Sequence, residues 1–131
     1  MAIDMSAAGR GTREPDSETA LGAFQVLDLT QSLGQYTSRL LADLGSHVIR
    51  VEPPEGGNAR LSLPFASDIP GLERSLAFIH FSSNKRSIAL DIEDVSDRGT
   101  ILRLAADADA VIEDFAPGYL AQRGLGHEDL L

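Results

Sequence analysis

The sequence predicts an α/β fold, with a mostly parallel, Rossmann-like sheet covered by helices on both faces. Short apolar runs rich in Val, Ile and Leu alternate with helix-period patterns from residue 24 onward, and this alternation is typical of parallel strands joined by crossover helices. The first strand–helix–strand unit, over residues 24–51, has the length of one right-handed crossover. The composition, with 43% hydrophobic and 24% charged residues, is that of an ordinary globular domain.

Residues 24–51 carry the clearest of these patterns. Residues 24–29 are predicted to form a strand and residues 47–51 a second one, which two prolines end. Between them, residues 36–44 predict a helix that Gly45 ends in a left-handed conformation. The apolar residues of this helix recur at the spacing of one face, which we expect to need a covering layer from a second copy or a partner chain: Tyr36, Leu40, Leu41 and Leu44.

The second half of the chain contains further, shorter patterns. Residues 52–70 hold four of the six prolines and a Gly-Gly pair, so we predict a long loop there, and such loops are usually functional. Four later elements are predicted: a strand at 87–91, a helix from Ser96 or Asp97 to Ala106, a strand at Ala110–Ile112, and a short helix from Pro117 to Arg123 that Gly124 ends.

The two ends of the chain differ in character. Residues 1–21 are rich in Gly, Ser, Thr and charged residues, so we expect a flexible tail followed by one α/β unit at 22–131. The sequence stops inside a pattern that begins a helix (HEDLL), and a sheet of three or four parallel strands leaves an edge unpaired. We therefore expect this chain not to behave as a stable monomer.

Charge and composition exclude several classes of function. There are 20 acidic and 11 basic residues, for a net charge of −9, and such a surface repels phosphate backbones, so we expect no nucleic-acid partner. No apolar run reaches the length of a membrane span, and the N-terminus has no apolar leader. The absence of cysteine excludes disulfides and thiolate chemistry and fits the cytoplasm. The three histidines lack metal-ligand spacing, so we expect no metal.

Polar residues follow each predicted strand, at the edge where parallel sheets bind ligands. Acidic or hydroxyl side chains occur at all four strand ends, in residues 28–30, 52–53, 91–93 and 114–116. They suit the hydroxyl and amino donors of a nucleotide; alternatively, they are exposed acids without a ligand. The dinucleotide motif GxGxxG is absent, because TQSLGQYTS after the first strand holds a single glycine. Close approach of a pyrophosphate to that helix is therefore not indicated.

Basic residues that could neutralise phosphates are few and scattered. Guanidinium and ammonium groups make charge-assisted bonds to phosphate. The candidates are Arg60, Lys85, Arg86 and Arg123. The adjacent pair Lys85-Arg86, just before a predicted strand, is the strongest candidate for a phosphate contact. For Arg123 taken alone, a solvated surface charge is the better interpretation.

Four separated blocks of sequence resemble the N-terminal part of family III CoA-transferases: VLDLT, RLLADLGSHVIRVEPPEGGNAR, NKRSIALDI and ADAVIEDFAPGYLAQRGLGHEDL. This family includes formyl-CoA and carnitine CoA-transferases and α-methylacyl-CoA racemase. The resemblance covers about residues 24–131, with the blocks in the family's order, which is more specific than any one block. It implies an incomplete α/β N-terminal domain of an enzyme whose full-length chains interlock as a dimer.

The resemblance also implies an activity. Such an enzyme binds the ADP part of coenzyme A and moves CoA from an acyl-CoA to a carboxylic acid. Its nucleophile is an aspartate beyond the last matching block, so we expect this chain alone to be inactive. Carried over by position, the residues that would contact CoA lie in the loops after the strands: Ser32, Leu33, Leu90, Asp91, Ile92, Glu93, Asp114, Phe115, Ala116 and Arg123.

Two positions depart from the family pattern. Leu33-Gly34-Gln35 stands where Ala-Gly-Pro is common, and Gln122 stands where formyl-CoA transferase has a basic residue. The expected partners are an acyl-CoA and a carboxylic acid, together with a second copy of the chain or a partner CoA-transferase chain. One alternative is a non-catalytic CoA-binding or assembly subunit. Another is an NAD-dependent oxidoreductase domain, which the missing glycines disfavour.

Overall fold

A computed structural model describes residues 18–130 of the chain. Four parallel strands, β1 (Gln25–Asp28), β2 (His47–Glu52), β3 (Arg86–Ala89) and β4 (Ala110–Ile112), form one sheet in the order β3-β2-β1-β4. The predicted parallel α/β fold is confirmed. The predicted tail at 1–21 lies mostly outside the described residues. Leu21 donates its N–H to the Leu44 carbonyl at 3.0 Å, and the boundary at residue 22 stays a prediction.

The helices are α1 (Gln35–Asp43), α2 (Leu76–Ser82), α3 (Val95–Ala106) and α4 (His127–Leu130), with 3-10 turns at Asn58–Leu61, Ala66–Asp68 and Ala121–Arg123. Three predicted boundaries were wrong. Helix α3 begins at Val95, one residue before the earlier of the two predicted starts, because the Asp94 carboxylate accepts the Ser96 N–H and caps it. The short helix predicted from Pro117 is a turn followed by the third 3-10 turn. The strand predicted at 87–91 ends at Ala89.

Helix α2 was not predicted. It begins after Ser75, whose buried hydroxyl accepts the Phe78 N–H at 3.1 Å as an N-cap. The chain before it, predicted as one long loop, contains two 3-10 turns. A serine before the apolar run LAFIHF is the signal that indicates this helix in the sequence.

Helices cover both faces of the sheet. Strand residues point alternately to opposite faces. On the face that we call the α3 face, α3 packs over a core of buried apolar residues: Leu27, Leu29, Val51, Leu90, Ile101, Leu104 and Ala105. On the opposite face, which we call the α1 face, a smaller apolar cluster joins Val26 and Val48 to Ala42 of α1. The α1 face is otherwise polar, since the alternation also places Asp28, Arg50 and Glu52 there, all buried.

Most of the apolar residues predicted on one face of α1 are exposed, as expected of a face that needs a covering layer. Tyr36, Leu40 and Leu44 are 53%, 45% and 51% exposed, and the buried residues are Gln35, Ser38 and Ala42. The cause is the charge beneath the helix: Ser38 donates its hydroxyl hydrogen to the Asp28 carboxylate at 2.7 Å. A buried carboxylate must be hydrogen-bonded, so α1 turns Gln35, Ser38 and Ala42 inward and leaves Leu40 exposed, while Leu41 packs partly buried against the small apolar cluster.

Both edges of the sheet are open within the described residues. Strand β3 pairs only with β2, and β4 pairs only with β1. No helix among residues 18–130 is both long and apolar enough to cross a membrane.

Candidate functional site

The strand order reverses between β1 and β4, since the chain moves outward from β1 to β2 and β3 and then returns to the other side. Ligands of open parallel sheets bind at the carboxyl ends of the strands beside such a reversal. Here the loop after β1 and the loop after β4 lie side by side, joined by hydrogen bonds. We call this strand-end region the crevice; two of the three groups of positions that the sequence indicates as CoA contacts lie in these loops.

Asp114 joins these two loops. Its carboxylate accepts backbone N–H groups from Gln31 at 2.6 Å, Ser32 at 2.8 Å and Gly34 at 3.0 Å. Burial alone would raise the pKa of Asp114, but the backbone N–H groups outweigh it and lower that pKa, so the carboxylate remains ionised. Gly34 lets the loop lie this close, because a Cβ there would come within 2.4 Å of the Thr30 methyl group.

The residues that the sequence indicates in the loop after β1 are on the outside of this arrangement. Ser32 is exposed, and Leu33 is 88% exposed although its neighbours are held by hydrogen bonds. A leucine held in solvent on an anchored loop is available to a ligand.

The loop after β3 presents backbone more than side chains. Leu90 is buried in the core of the α3 face, and Ile92 packs against it. The Asp91 carboxylate accepts the Glu93 N–H at 2.8 Å, while the Asp91 N–H donates to Asp97 at 2.9 Å. A ligand at this loop would therefore meet main-chain atoms and the exposed side chain of Glu93.

A stack of planar groups links the loops after β3 and β4. The Tyr119 and Phe115 rings are parallel, with centroids 4.8 Å apart and an interplanar angle of 4°. On Tyr119 lies the guanidinium of Arg123, 3.6 Å from the ring centroid. Glu93 accepts hydrogen bonds from Arg123 Nε at 2.7 Å and from the Tyr119 hydroxyl at 2.6 Å. The bond from Arg123 lowers the pKa of Glu93, and the bond to Glu93 raises that of Tyr119.

A family model described as CoA-transferase family III matches residues 21–131. The chain belongs to this family. The resemblance of the four sequence blocks is thereby confirmed.

Relatives with assigned activities are CoA-transferases. Succinyl-CoA:(R)-benzylsuccinate CoA-transferase subunit BbsE of Thauera aromatica is 38% identical over 107 residues, which cover 82% of this chain and 26% of that protein. Succinyl-CoA:glutarate CoA-transferase of Mus musculus is 37% identical, with 93% of this chain and 28% of that protein covered. The crystal structure of a CAIB/BAIF family protein from Brucella suis superposes with a TM-score of 0.69 at 38% identity, covering 82% of this chain and 29% of that one. The chain thus spans between a quarter and a third of the length of these proteins.

Within this CoA-transferase family member, the predicted role of Lys85 as a phosphate contact is wrong. Its ammonium donates to the Asp28 carboxylate at 2.9 Å, to the Ser38 hydroxyl at 2.8 Å and to the Gln35 carbonyl at 3.1 Å, and its side chain is 1% exposed. Burial lowers the pKa of Lys85 despite the nearby Asp28 charge. The charge that seemed free in the sequence is used to neutralise a buried carboxylate.

Arg60 and Glu52 are also committed to each other. Arg60 binds both carboxylate oxygens of Glu52, at 2.7 and 3.0 Å, and its guanidinium lies 3.9 Å from the Phe78 ring centroid. Ser87 donates to the same carboxylate at 2.6 Å. The Glu52 carboxylate, one of the acidic groups at the strand ends, is therefore occupied by protein partners, although it lines a cavity of about 190 Å³ beside Pro53. Arg86 lies at the amino end of β3, away from the crevice.

Arg50 was overlooked in the sequence. It is buried, and its guanidinium lies 3.6 Å from the Asp28 carboxylate, so two cations share one anion. An arginine inside the apolar strand pattern HVIRV is the signal that marks it. Among residues 18–130, no three His, Asp or Glu side chains are grouped as a metal site.

Proposed function

We propose that this chain forms the CoA-binding part of a family III CoA-transferase that moves CoA between carboxylic acids. The observation that carries the proposal is the family match over residues 21–131. This match includes the loops at the strand ends, and the relatives named above are CoA-transferases. The substrates are then an acyl-CoA and a carboxylic acid. The residues proposed here bind the nucleotide end of CoA, so they do not select the acyl group.

The ADP part of CoA would lie across the loops after β1, β3 and β4. Ser32 and Leu33 border it on one side and residues 114–116 on the other, with Leu90 to Glu93 below. Two features support this placement. Phe115 ends a stack of planar groups and is half-buried, and an adenine ring stacks well on an aromatic side chain. Arg123, at the other end of that stack, supplies a positive charge beside Glu93 in the loop after β3.

The chemistry would use a carboxylate nucleophile that is not among the residues described here. In the mechanism that the family resemblance implies, an aspartate attacks the thioester carbonyl, the CoA thiolate leaves, and an acyl anhydride forms. The thiolate then attacks the aspartyl carbonyl of the anhydride, which releases the first carboxylic acid and leaves an aspartyl-CoA thioester. The residues of this chain would hold the nucleotide end of CoA during both steps.

A second candidate is a non-catalytic CoA-binding or assembly subunit that pairs with a catalytic chain. The observation that favours it is the name of the Thauera aromatica relative, which is a subunit. The exposed leucines of α1 and the two open sheet edges suit a second copy or a partner chain equally. We place either assembly in the cytoplasm, in keeping with a chain free of cysteine.

Titration calorimetry of the chain with CoA, acetyl-CoA and NAD tests the binding proposal. CoA and acetyl-CoA are expected to bind more tightly than NAD, because the glycines of the dinucleotide motif are missing after β1, whereas the loops match those of a CoA-transferase family. NAD binding that equals or exceeds CoA binding would support an oxidoreductase domain instead.

A further inference from the structure

We propose that Asp114 is a positioning residue, whose carboxylate fixes the loop at residues 31–34 in the shape that receives CoA and does not itself contact the ligand. The inference rests on the proposed function for its CoA part. It changes the role assigned to Asp114 by family position, where it stands among the residues that would contact CoA directly.

The first observation is that both oxygens of the Asp114 carboxylate already accept hydrogen bonds from the protein. One oxygen accepts the Gln31 N–H, and the other accepts the N–H groups of Ser32 and Gly34. Successive N–H groups that converge in this way form a cradle for an anion. In this chain the anion is supplied by the protein itself, from a loop more than 80 residues away in sequence.

The second observation is that other groups anchor the loop at its two ends and at the Gln31 carbonyl, which accepts from the Gln35 side chain at 2.9 Å, whereas its backbone N–H groups donate to Asp114. Thr30 donates its N–H and its hydroxyl to Asp28, at 3.0 and 2.6 Å. At the far end, the Gln35 carbonyl accepts from Lys85 at 3.1 Å. Between these anchors, the backbone N–H groups have Asp114 as their acceptor. Without it, the segment that carries Leu33 would lose its support.

The third observation concerns what the loop carries. Ser32 and Leu33 are exposed, and no contact with the core holds the Leu33 side chain in place. Their position relative to Phe115 therefore depends on the main-chain bonds to Asp114, which is the residue before Phe115. The two sides of the crevice are joined through a single carboxylate.

Two substitutions at position 114 distinguish the effect of the carboxylate charge from that of the side-chain shape. In Asp114→Asn the side chain keeps its size, but an NH2 group must face at least one of the backbone N–H groups, because amide nitrogen donates and does not accept. In Asp114→Ala the cradle is left empty, and a small carboxylate such as formate can enter it. Asp107→Asn is the matched control, since Asp107 is exposed, lies at the opposite end of the sheet after α3, and makes no side-chain hydrogen bond within the described residues.

The experiment measures amide hydrogen exchange of residues 31–34 by NMR and CoA affinity by calorimetry, for the 131-residue chain and each variant. For Asp114→Asn and Asp114→Ala we expect the amides of Gln31, Ser32 and Gly34 to exchange about tenfold to a hundredfold faster, as for lost bonds to a charged acceptor. CoA affinity is expected to fall about tenfold or more, the effect of losing one charge-assisted bond or more. Sodium formate should restore both quantities in Asp114→Ala, whereas sodium chloride at equal ionic strength should not.

Amide exchange tests the role of Asp114 in the loop, and CoA affinity tests the link between the loop and the ligand. Amides of the variants that exchange as in the unmodified chain would overturn the role of Asp114, whether or not CoA binds. Faster exchange with unchanged CoA affinity would overturn the link between the loop and the ligand. If the unmodified chain binds no CoA while the amides respond as expected, the proposed function fails and the positioning of the loop stands. Rescue of the amides by formate distinguishes this role from a loss of folding, since an unfolded variant would not be rescued.

Discussion

The Lys85 ammonium lies 2.9 Å from the Asp28 carboxylate in the interior of the protein, between strand β1 and helix α1. Arg50 lies on the same carboxylate at 3.6 Å. The ion pairs of Asp28 thus join β1 to β2 through Arg50 and to the segment before β3 through Lys85. The stability of the α1 side of the sheet should depend on them.

We expect Lys85→Met to lower the free energy of unfolding by about 3 kcal/mol, because it leaves a buried carboxylate with one cation at longer range. Chemical denaturation measures the change. Arg86→Met is the matched control, since Arg86 is adjacent and exposed, and it should change stability by less than about 0.5 kcal/mol. A loss for Lys85→Met as small as that of the control would mean that Arg50 alone neutralises Asp28.

Acid should destabilise the fold. Burial acts to raise the pKa values of Asp28 and Glu52, but hydrogen bonds from Thr30 to Asp28 and from Arg60 to Glu52, together with the adjacent cations, leave both values lowered. A group whose pKa is lower in the folded state stabilises the fold above its ordinary value, and that contribution is lost as the pH falls through the folded value. Thermal melts should therefore show stability falling below about pH 4. Stability that is constant or rising from about pH 5 to pH 3 would contradict this account.

Phe115→Ala should weaken CoA binding about tenfold, because stacking of a base on an aromatic side chain contributes roughly 1–3 kcal/mol. The circular dichroism spectrum should be unchanged, since Phe115 is only half-buried. Phe24→Ala is the control: Phe24 is exposed and lies before β1, at the other end of the sheet. Equal affinities of the two variants would place the adenine elsewhere.

Asp91→Ala should also reduce CoA affinity, through the loop after β3. The Asp91 carboxylate accepts the Glu93 N–H, so its removal releases the turn that would face the nucleotide. A variant that unfolds in circular dichroism would instead show that Asp91 stabilises the domain.

The isolated chain is expected to have no CoA-transferase activity, because the nucleophilic aspartate that the family resemblance implies is not among its residues. The assay measures exchange of CoA between succinyl-CoA and a second carboxylic acid with purified chain. Exchange above that of a mock preparation from the same host would contradict the expectation.

The chain is expected to self-associate. Leu40 and Leu44 are about half exposed on α1, and both sheet edges are open within the described residues, so neighbouring chains can bury apolar surface or pair with an edge. Light scattering should give a mass above that of the monomer, and the double variant Leu40→Ser, Leu44→Ser should shift it toward the monomer. A monomer that melts cooperatively would show that these surfaces do not bind one another.

The sequence was sufficient for the sheet and insufficient for the polar interior. Strand β4 was predicted with its observed bounds, and Gly45 ends α1 with a φ of 103°, because these features depend on local pattern. The orientation of α1 depends on what lies beneath it. The leucine spacing indicated one face, but the buried Asp28 required Ser38, and nothing local in the sequence tells that Asp28 is buried.

In the candidate site, too, features set by local pattern could be predicted, and contacts between distant segments could not. The positions at the strand ends follow from the parallel topology, and Asp114 accepts hydrogen bonds from the loop that carries Ser32 and Leu33; that these residues contact CoA stays a prediction. The partners of the charged groups could not be predicted, because each pair joins distant segments: Lys85 to Asp28, Arg60 to Glu52, and Arg123 to Glu93. Charges that look free along the chain are paired once it folds.

The polar α1 face also limits how the strands can pair. If β2 slipped by one residue against β1, every side chain would change faces, and Arg50 and Glu52 would point into the leucine-rich core beneath α3 without their partners. Several kcal/mol per unpaired charge would oppose that arrangement. Both edges of this sheet are open within residues 18–130, so its strands can mispair. The buried charges oppose a wrong strand register, which a wholly apolar face would not do.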